Sequence, residues 1–446
     1  MDRERNNIEL DILITGGTLI TMSEDMVIIE DPAVGIKDGK ILFVEKREGQ
    51  ISEYRAKEIL DASESIVMPG LINTHTHSPM VCFRGLADDL PLMEWLNDHI
   101  FPAELKYVNE DMVYNGSLLA IAEMILSGTT TFCDTYFYES SVAQAAVDSG
   151  MRAVPARGFM DSPTPGNPDP FRHTEIAGQF IERWADATPL ISPALICHTP
   201  LTCSAETLRN IKNIARNSKL PFIIHLSETK DEVKIIEERY GLTPVSYLHS
   251  LGVLDDLTIA VHCVCLNGKD IDILADHGVK VSHNPESNMK LASGVAPIPK
   301  LLEKGVTVGL GTDGCASNND LDMFMEMDTA AGIHKVAALD PTVMDAKTVL
   351  KMATSGGAKV LGLEDRIGSI EAGKCADIII LDMKKPHLTP LYNCYSQIVY
   401  SAEGHDVSTA IIDGKIVMKE RHLLCMDIFD IMERVRKTAD VISDSR

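Results

Sequence analysis

Short apolar runs alternate with longer amphipathic stretches through the middle of this 446-residue chain. The apolar runs have the length of buried strands and are rich in β-branched residues. We predict strands at residues 67–77, 129–135, 152–159, 191–198, 221–227, 258–265, 279–284 and 306–313. The stretches between them predict helices, and residues 109–127 place Leu118, Ala122 and Ile125 on one helical face. Eight strands that alternate with helices predict an α/β fold, a (β/α)₈ TIM-like barrel over residues 68–368.

Both ends of the chain have a different pattern, made of short β-rich runs and tight turns. Such runs occur at residues 11–15, 18–21, 34–36, 41–44, 377–382 and 410–418. Asp38-Gly39 between two of these runs is typical of a β-hairpin. We therefore predict a small β-sandwich domain built from both termini, with residues 1–67 as its N-terminal part. Residues 369–446 would supply its C-terminal part and a terminal helix.

The composition is that of a globular enzyme, with 45% apolar and 24% charged residues. The net charge of −24 disfavours a nucleic-acid partner, because phosphate backbones would be repelled. A small nucleobase compound without phosphate stays compatible with this charge.

No run approaches the roughly 18–20 apolar residues of a membrane span, so we expect no membrane partner. Residues 1–7 contain no apolar segment of a signal peptide. The ten cysteines are scattered and are expected to be reduced. These features predict a cytoplasmic protein. They leave open whether it forms a homo-oligomer.

His75 and His77 stand at the end of the first predicted barrel strand. Side chains at positions i and i+2 of a strand point to the same side of the sheet. Two parallel imidazoles make half of a metal site, although surface strands also carry this spacing by chance. The other strand ends decide between these interpretations.

Polar side chains occur at the carboxyl ends of all eight predicted strands, where such barrels carry their active sites. They are His75, His77, Asp134, Arg157, His198, His225, Glu228, His262, His283, Asn284 and Asp313. Packing alone would favour apolar side chains there. We expect Asp134 and His283 to be hydrogen-bonded core residues. The predicted metal ligands are His75, His77, His225 and Asp313. Three neutral imidazoles and one carboxylate suit a divalent ion such as Zn²⁺.

The chain resembles the amidohydrolase superfamily, specifically its 5-methylthioadenosine/S-adenosylhomocysteine deaminase branch, over essentially its whole length. H-T-H at 75–77, H-L-S-E at 225–228, S-H-N-P at 282–285, G-T-D-G at 311–314 and the tail at 368–377 carry this resemblance. The segment 84–104 is similar to the same segment in members of the superfamily that act on nucleosides. The resemblance implies a metal-dependent aminohydrolase that acts on cyclic amidines. It would deaminate 5-methylthioadenosine and S-adenosylhomocysteine at C6 to the inosine analogues and ammonia, with 5′-deoxyadenosine and adenosine as further substrates.

The fourth predicted strand ends in Cys197-His198-Thr199-Pro200. Dinuclear relatives usually bridge two metals with a modified lysine at this strand, and no lysine is present here. We therefore expect one divalent ion per chain, with Zn²⁺ first and Fe²⁺ or Mn²⁺ as alternatives.

Three residues are predicted to carry the chemistry. Glu228 lies three residues after His225, so its carboxylate can overhang the metal and pass a proton from water to a ring nitrogen. The alternative for Glu228 is a solvated glutamate that caps a helix at 229–240. His262 and Asp313 would orient and deprotonate the attacking water, or His262 would instead hold Asp313 in place.

The resemblance also implies the substrate contacts. Glu104 would accept hydrogen bonds from the ribose 2′- and 3′-hydroxyls, and Trp95 would line the sugar pocket. A surface ion pair of Glu104 with Lys106 is the alternative. His198 would hydrogen-bond the purine ring. Glu228 and Asp313 would also contact the substrate. Arg157, with Arg172 as a second candidate, would meet the amino-acid carboxylate of S-adenosylhomocysteine. The methionines that could line an apolar pocket for the 5′-thioether are Met80, Met93, Met160 and Met289.

Two rival functions stay open. One is another mononuclear enzyme, such as a guanine or cytosine deaminase or a chlorotriazine hydrolase. Glu104 argues against it, because a free base or a triazine has no diol. The other is a barrel that has lost its metal and acts as an interaction protein. The presence of all four predicted ligands and Glu228 argues against this reading.

Overall fold

The computed structural model describes residues 9–47 and 55–443. Its centre is an eight-stranded parallel sheet in which each strand pairs with the next one along the chain. The strands are β1 (Leu71–Thr76), β2 (Thr129–Asp134), β3 (Arg152–Phe159), β4 (Ala194–Cys197), β5 (Phe222–Leu226), β6 (Thr258–His262), β7 (Lys280–His283) and β8 (Val308–Leu310). Just beyond β8, the amide of Asp313 donates to the His75 carbonyl at 3.0 Å, which brings the last strand back to the first. The predicted (β/α)₈ barrel is confirmed.

The first predicted strand, residues 67–77, is divided in the structure. Ser65–Pro69 belongs to a sheet outside the barrel, and only Leu71–Thr76 is a barrel strand. Between them the Gly70 amide donates to the Asp377 carbonyl, whereas the Leu71 amide donates to Gly128. A side chain at Gly70 would collide with Thr130. Pro69-Gly70 is therefore the point at which the backbone changes sheets.

Helices connect the barrel strands and cover the sheet. The α-helices are Leu92–Glu94, Phe101–Tyr107, Glu110–Leu126, Glu139–Ser149, His173–Trp184, Ala205–Ser218, Lys230–Tyr240, Pro244–Leu251, Gly268–Asp276, Pro285–Lys290, Ile298–Glu303, Met323–Ala338, Ala346–Met352, Ser355–Leu361, Cys394–Tyr400 and Ile428–Ser443. The predicted helix at 109–127 is present as Glu110–Leu126. It begins after Asn109, whose side chain accepts a hydrogen bond from the Met112 amide.

Residues from both termini form two further sheets. In spatial order, one contains Lys40–Lys46, Pro32–Lys37, Glu9–Thr15 and Arg55–Asp61. The other contains His422–Leu423, Lys415–Lys419, Val407–Ile412, Ile378–Asp382, Ser65–Pro69, Thr18–Ile20 and Ile28–Glu30. The hairpin predicted at Asp38-Gly39 is confirmed, and both residues have positive φ, 50° and 77°.

The strand Arg55–Asp61 is absent from the sequence-based prediction. Its side chains are mostly exposed, so it carries little apolar signal, and it is held by parallel pairing with Glu9–Thr15.

The domain limits 1–67, 68–368 and 369–446 stay a prediction, and residues 1–7 lie outside the described residues. Within 9–47 and 55–443, no helix combines the length and the apolar character that crossing a membrane requires.

Candidate active site

A cavity opens at the carboxyl ends of the barrel strands, where the sequence predicts the functional residues. It encloses about 1010 Å³, including space open to solvent. Of the predicted site residues, its lining contains His77, Trp95, Glu104, His198, His225, Glu228, His262 and Asp313. The remaining walls are largely apolar, as in sites that take small organic ligands.

The four predicted metal ligands meet at the floor of this cavity. The Nε2 atoms of His75 and His77 lie 3.5 and 3.2 Å from Oδ1 of Asp313. The ring of His225 has its centroid 5.0 Å from that of His75. β1, β5 and the segment after β8 thus place three imidazoles and one carboxylate around a common point.

Backbone carbonyls orient two of these imidazoles. His77 Nδ1 donates to the Thr135 carbonyl at 2.8 Å, and His225 Nδ1 donates to the His198 carbonyl at 2.9 Å. In the neutral ring, a proton on Nδ1 leaves Nε2 as the unprotonated nitrogen, which faces the centre and can serve as a metal ligand. Both carbonyls belong to residues just beyond neighbouring strands, so the barrel itself sets the tautomer.

The donor set fits a divalent cation. His75 Nε2 is buried and has no hydrogen-bond partner among the described residues. Ligand atoms lie within 4.8 Å of one another in two overlapping groups, His75 with His77 and Asp313, and His75 with His225 and His262. Burial lowers the pKa of His75 to about 4 and the pKa of His225 well below its ordinary value. Both imidazoles are therefore neutral near pH 7, as metal ligation requires.

Glu228 and His262 lie beside this centre. Their Oε2 and Nε2 atoms are 3.7 Å apart. His262 Nδ1 donates to Oδ1 of Asn288 at 3.0 Å, which leaves Nε2 free to accept a proton. Burial raises the pKa of the Glu228 carboxyl; the His262 ring opposes this rise and the Asp313 charge adds to it. The helix that follows is capped by Thr229, so the alternative of Glu228 as a solvated helix cap is wrong.

Trp95 and Glu104 reach the cavity from the segment after β1. A π-helical turn, Trp95–Ile100, leads into the helix Phe101–Tyr107, and both side chains are buried. Glu104 is 5% exposed and lies beside the hydroxyl of Tyr136. Burial raises the pKa of Glu104 to about 7, opposed by Tyr136 and His77. A surface ion pair with Lys106 is therefore excluded for this carboxyl.

His198 lies at the cavity wall as a neutral imidazole, because burial lowers its pKa to about 4. Its Nδ1 is 3.0 Å from the hydroxyl of Thr202. The opposite ring nitrogen is thereby available to a ligand.

Two of the four methionines predicted for the pocket, Met80 and Met160, line it. Met93 and Met289 are 47% and 50% exposed and lie outside the lining, so their prediction is wrong. Both stand on short helices whose solvent faces cannot be recognised from composition.

The structure does not bring Arg157 and Arg172 into the lining. Arg157 Nη2 donates to the Gly166 carbonyl at 3.1 Å. The Arg172 side chain is 54% exposed and forms an ion pair with Glu175 at 2.6 Å. Their role with a substrate carboxylate stays a prediction.

Asp134 and His283 are buried hydrogen-bonded residues, as predicted. Asp134 accepts a bond from the Ser78 amide, and Nε2 of His283 lies 3.0 Å from Nε2 of His334.

Sequence reasoning missed two residues of the site. Tyr136 lies beside Glu104, and Asn288 accepts a hydrogen bond from His262. Tyr136 directly follows the predicted strand 129–135, and this position is the signal that could have found it.

The amidohydrolase family model matches residues 66–417 of the chain. The chain is 51% identical over 432 residues to a 5-methylthioadenosine/S-adenosylhomocysteine deaminase of Syntrophobacter fumaroxidans, covering 97% of this chain and 98% of that protein. It is 46% identical over 433 residues to a 5′-deoxyadenosine deaminase of Methanosarcina mazei, covering 96% and 98%. The zinc-bound crystal structure of an adenosine deaminase from Xanthomonas campestris superimposes with a TM-score of 0.95 at 38% identity, covering 98% and 99% of the two chains.

Proposed function

The chain belongs to the amidohydrolase family, and from this premise we propose that it hydrolytically deaminates 5′-modified adenosines at C6. The products are the inosine analogues and ammonia. One observation carries the proposal: the buried carboxyl group of Glu104 lines the same cavity as a centre of three histidines and one carboxylate. The deaminase names of relatives at 46–51% identity support the same substrate class.

His75, His77, His225 and Asp313 would hold one divalent ion per chain. Zn²⁺ is the first expectation, supported by the zinc in the Xanthomonas campestris structure, and Fe²⁺ or Mn²⁺ would suit the same donors. The ion would supply the positive charge that makes a water molecule acidic near neutral pH. The absence of a lysine after β4, where His198 stands, supports a single ion.

The side chains around this centre would move the protons. His262 and Asp313 orient the attacking water, and its oxygen adds to C6 of the purine. Glu228 carries one proton of that water to N1. The second proton goes to the amino group, which leaves as ammonia, and C6 becomes a carbonyl. His262 is fixed by Asn288 and faces Glu228, which favours a direct role over one of holding Asp313.

The cavity walls would select the substrate. Glu104 accepts hydrogen bonds from the 2′- and 3′-hydroxyls of ribose, and Trp95 packs on the sugar. His198 offers its free ring nitrogen to the purine. Met80 and Met160 give an apolar surface for a 5′-thioether. Arg157 and Arg172 would have to move before either could meet the carboxylate of S-adenosylhomocysteine.

A guanine or cytosine deaminase, or a chlorotriazine hydrolase, is the second candidate. It would leave the buried Glu104 carboxylate without a diol to bind, so no observation favours it. Ammonia release by the metal-loaded protein from nucleosides and from free bases tests the choice. We further propose that the enzyme works in the cytoplasm.

A further inference from the structure

The turn that carries Glu228 has an unusual backbone. Ser227, directly after β5, has a φ of +53°, in the left-handed region that residues with a side chain rarely adopt. Glu228 follows, and its carboxylate lies between Ser293, whose hydroxyl donates to Oε1 at 3.4 Å, and His262. The position of that carboxylate therefore depends on a turn that the chain does not adopt by preference.

A second glutamate holds this turn. Oε1 of Glu232 accepts a hydrogen bond from the Ser227 amide at 3.0 Å, and Oε2 accepts one from the Glu228 amide at 2.8 Å. Glu232 is only 7% exposed, so these bonds form away from bulk water. Each carboxylate oxygen is committed to one of the two amides.

This contact differs from ordinary helix capping. Thr229 is the N-cap of the helix Lys230–Tyr240, and its hydroxyl accepts from the Glu232 amide. In a capping box the glutamate at this position would bind the amide of the N-cap itself, Thr229. Glu232 instead reaches past Thr229 to the two preceding residues. Its side chain therefore acts on the turn between β5 and the helix.

The opposite side of the turn is held by two backbone hydrogen bonds and by the Cys265 thiol, whose Sγ lies 3.9 Å from the Glu228 carbonyl. The Cys265 amide donates to the Ser227 carbonyl at 2.8 Å, and the Cys263 amide donates to the Leu226 carbonyl at 3.1 Å. Glu232 supplies the side-chain contacts to the turn amides. A substitution at Glu232 would thus free the amides of Ser227 and Glu228 without removing the bonds to Cys263 and Cys265, just beyond β6.

We propose that Glu232 is a positioning residue of the deamination, which fixes the Ser227-Glu228 turn so that the Glu228 carboxylate stays beside His262. The inference rests on the proposed function, in which Glu228 carries the proton to N1. Two backbone donors need two acceptor oxygens. Glu232→Gln supplies one acceptor and turns an NH₂ group toward the other amide, so one donor loses its partner.

The test uses the metal-loaded protein and the variants Glu232→Gln, Glu228→Gln and their combination. Glu232→Gln should lower kcat ~10–100-fold, the usual effect of residues that orient a catalytic group, with metal content and KM near wild type. Because Glu232 acts through Glu228, the double variant should be no slower than Glu228→Gln alone, within about twofold. If Glu232→Gln does not fold, Glu232→Asp, whose shorter side chain cannot span both amides, takes its place.

Thr229→Ala is the matched control. It removes the N-cap bond of the same helix and leaves both bonds from Glu232 to the turn. This variant should lose thermal stability and keep a kcat near wild type. A kcat loss in Thr229→Ala as large as that in Glu232→Gln would overturn the proposal, because helix capping would then explain both.

Further outcomes separate this inference from the proposed function. If the costs of Glu228→Gln and Glu232→Gln multiply in the double variant, Glu232 does not act through Glu228 and the inference is wrong. If Glu228→Gln is slow and Glu232→Gln is as fast as wild type, the inference alone is wrong. If Glu228→Gln itself keeps the wild-type kcat, the proposed mechanism fails and this inference fails with it.

Discussion

Glu228 and His262 lie side by side at the floor of the cavity, with 3.7 Å between carboxylate Oε2 and imidazole Nε2. They come from the ends of adjacent strands, β5 and β6. Each is supported from the far side, Glu228 by the Ser293 hydroxyl and His262 by the Asn288 amide oxygen. Two groups that can carry protons therefore stand together next to the proposed metal ligands.

Replacing Glu228 should separate chemistry from metal binding. Glu228→Gln keeps the shape of the side chain and removes its ability to carry a proton, so kcat should fall ~10²–10⁴-fold. Because Glu228 is not a proposed ligand, metal content should be unchanged. Glu286 is a half-buried glutamate outside the cavity lining. Glu286→Gln is therefore the matched control, and this variant should keep the wild-type kcat. Loss of metal in Glu228→Gln would contradict the assigned role.

Replacing His225 should remove the metal together with the activity. His225→Ala removes one of three imidazoles from the donor set, so metal content and ammonia release should both fall to background. His198→Ala, a histidine that belongs to neither ligand group, should retain the ion. Elemental analysis of both variants and the parent measures this. Two ions per parent chain at full occupancy would show that the single-ion proposal is wrong.

The substitution Glu104→Gln tests the ribose assignment. It removes a charge-assisted hydrogen bond worth about 1.5–3 kcal/mol, so kcat/KM should fall roughly 10–150-fold. The loss should shrink for a substrate analogue without the 2′- and 3′-hydroxyls. An equal loss for the diol-free analogue would mean that Glu104 does not bind the diol.

Glu104 also predicts a pH dependence, since burial raises its pKa to about 7. The ionised carboxylate is the better diol acceptor, so kcat/KM should fall as the pH drops through about 7, and Glu104→Gln should lack this limb. Stability has the opposite sign. A carboxyl whose folded-state pKa lies above its ordinary value of 4.5 destabilises the fold as the pH rises from about 4.5 to 7. At pH 8, Glu104→Gln should therefore raise the free energy of unfolding by up to about 3 kcal/mol, and Tm with it. At pH 4 both should be unchanged.

There is a physical reason why the sequence predicts the barrel and most of the residues at the base of its cavity. Buried parallel strands leave continuous apolar runs, and the rule that barrel chemistry sits at strand ends selects the residue that follows each run. His75, His225 and Asp313 were found in this way. The strand Arg55–Asp61 was missed because backbone pairing, rather than an apolar face, holds it in its sheet.

Side-chain direction in the loops was harder to predict. Only the resemblance predicts a substrate contact for Arg172, and in the structure Arg172 pairs with Glu175 on the surface. Glu232 carries no pattern that distinguishes it from an ordinary glutamate in the first turn of a helix. Its contacts with the amides of Ser227 and Glu228 emerge only from the folded turn.

The most direct test of the proposed function is ammonia release by the metal-loaded protein from a panel of substrates at equal concentration. The panel contains 5-methylthioadenosine, S-adenosylhomocysteine, 5′-deoxyadenosine and adenosine, together with guanine, cytosine and a chlorotriazine. We expect the highest kcat/KM for an adenosine nucleoside, with the matching inosine analogue as the product. Faster turnover of a free base or of the triazine than of every nucleoside would contradict the account.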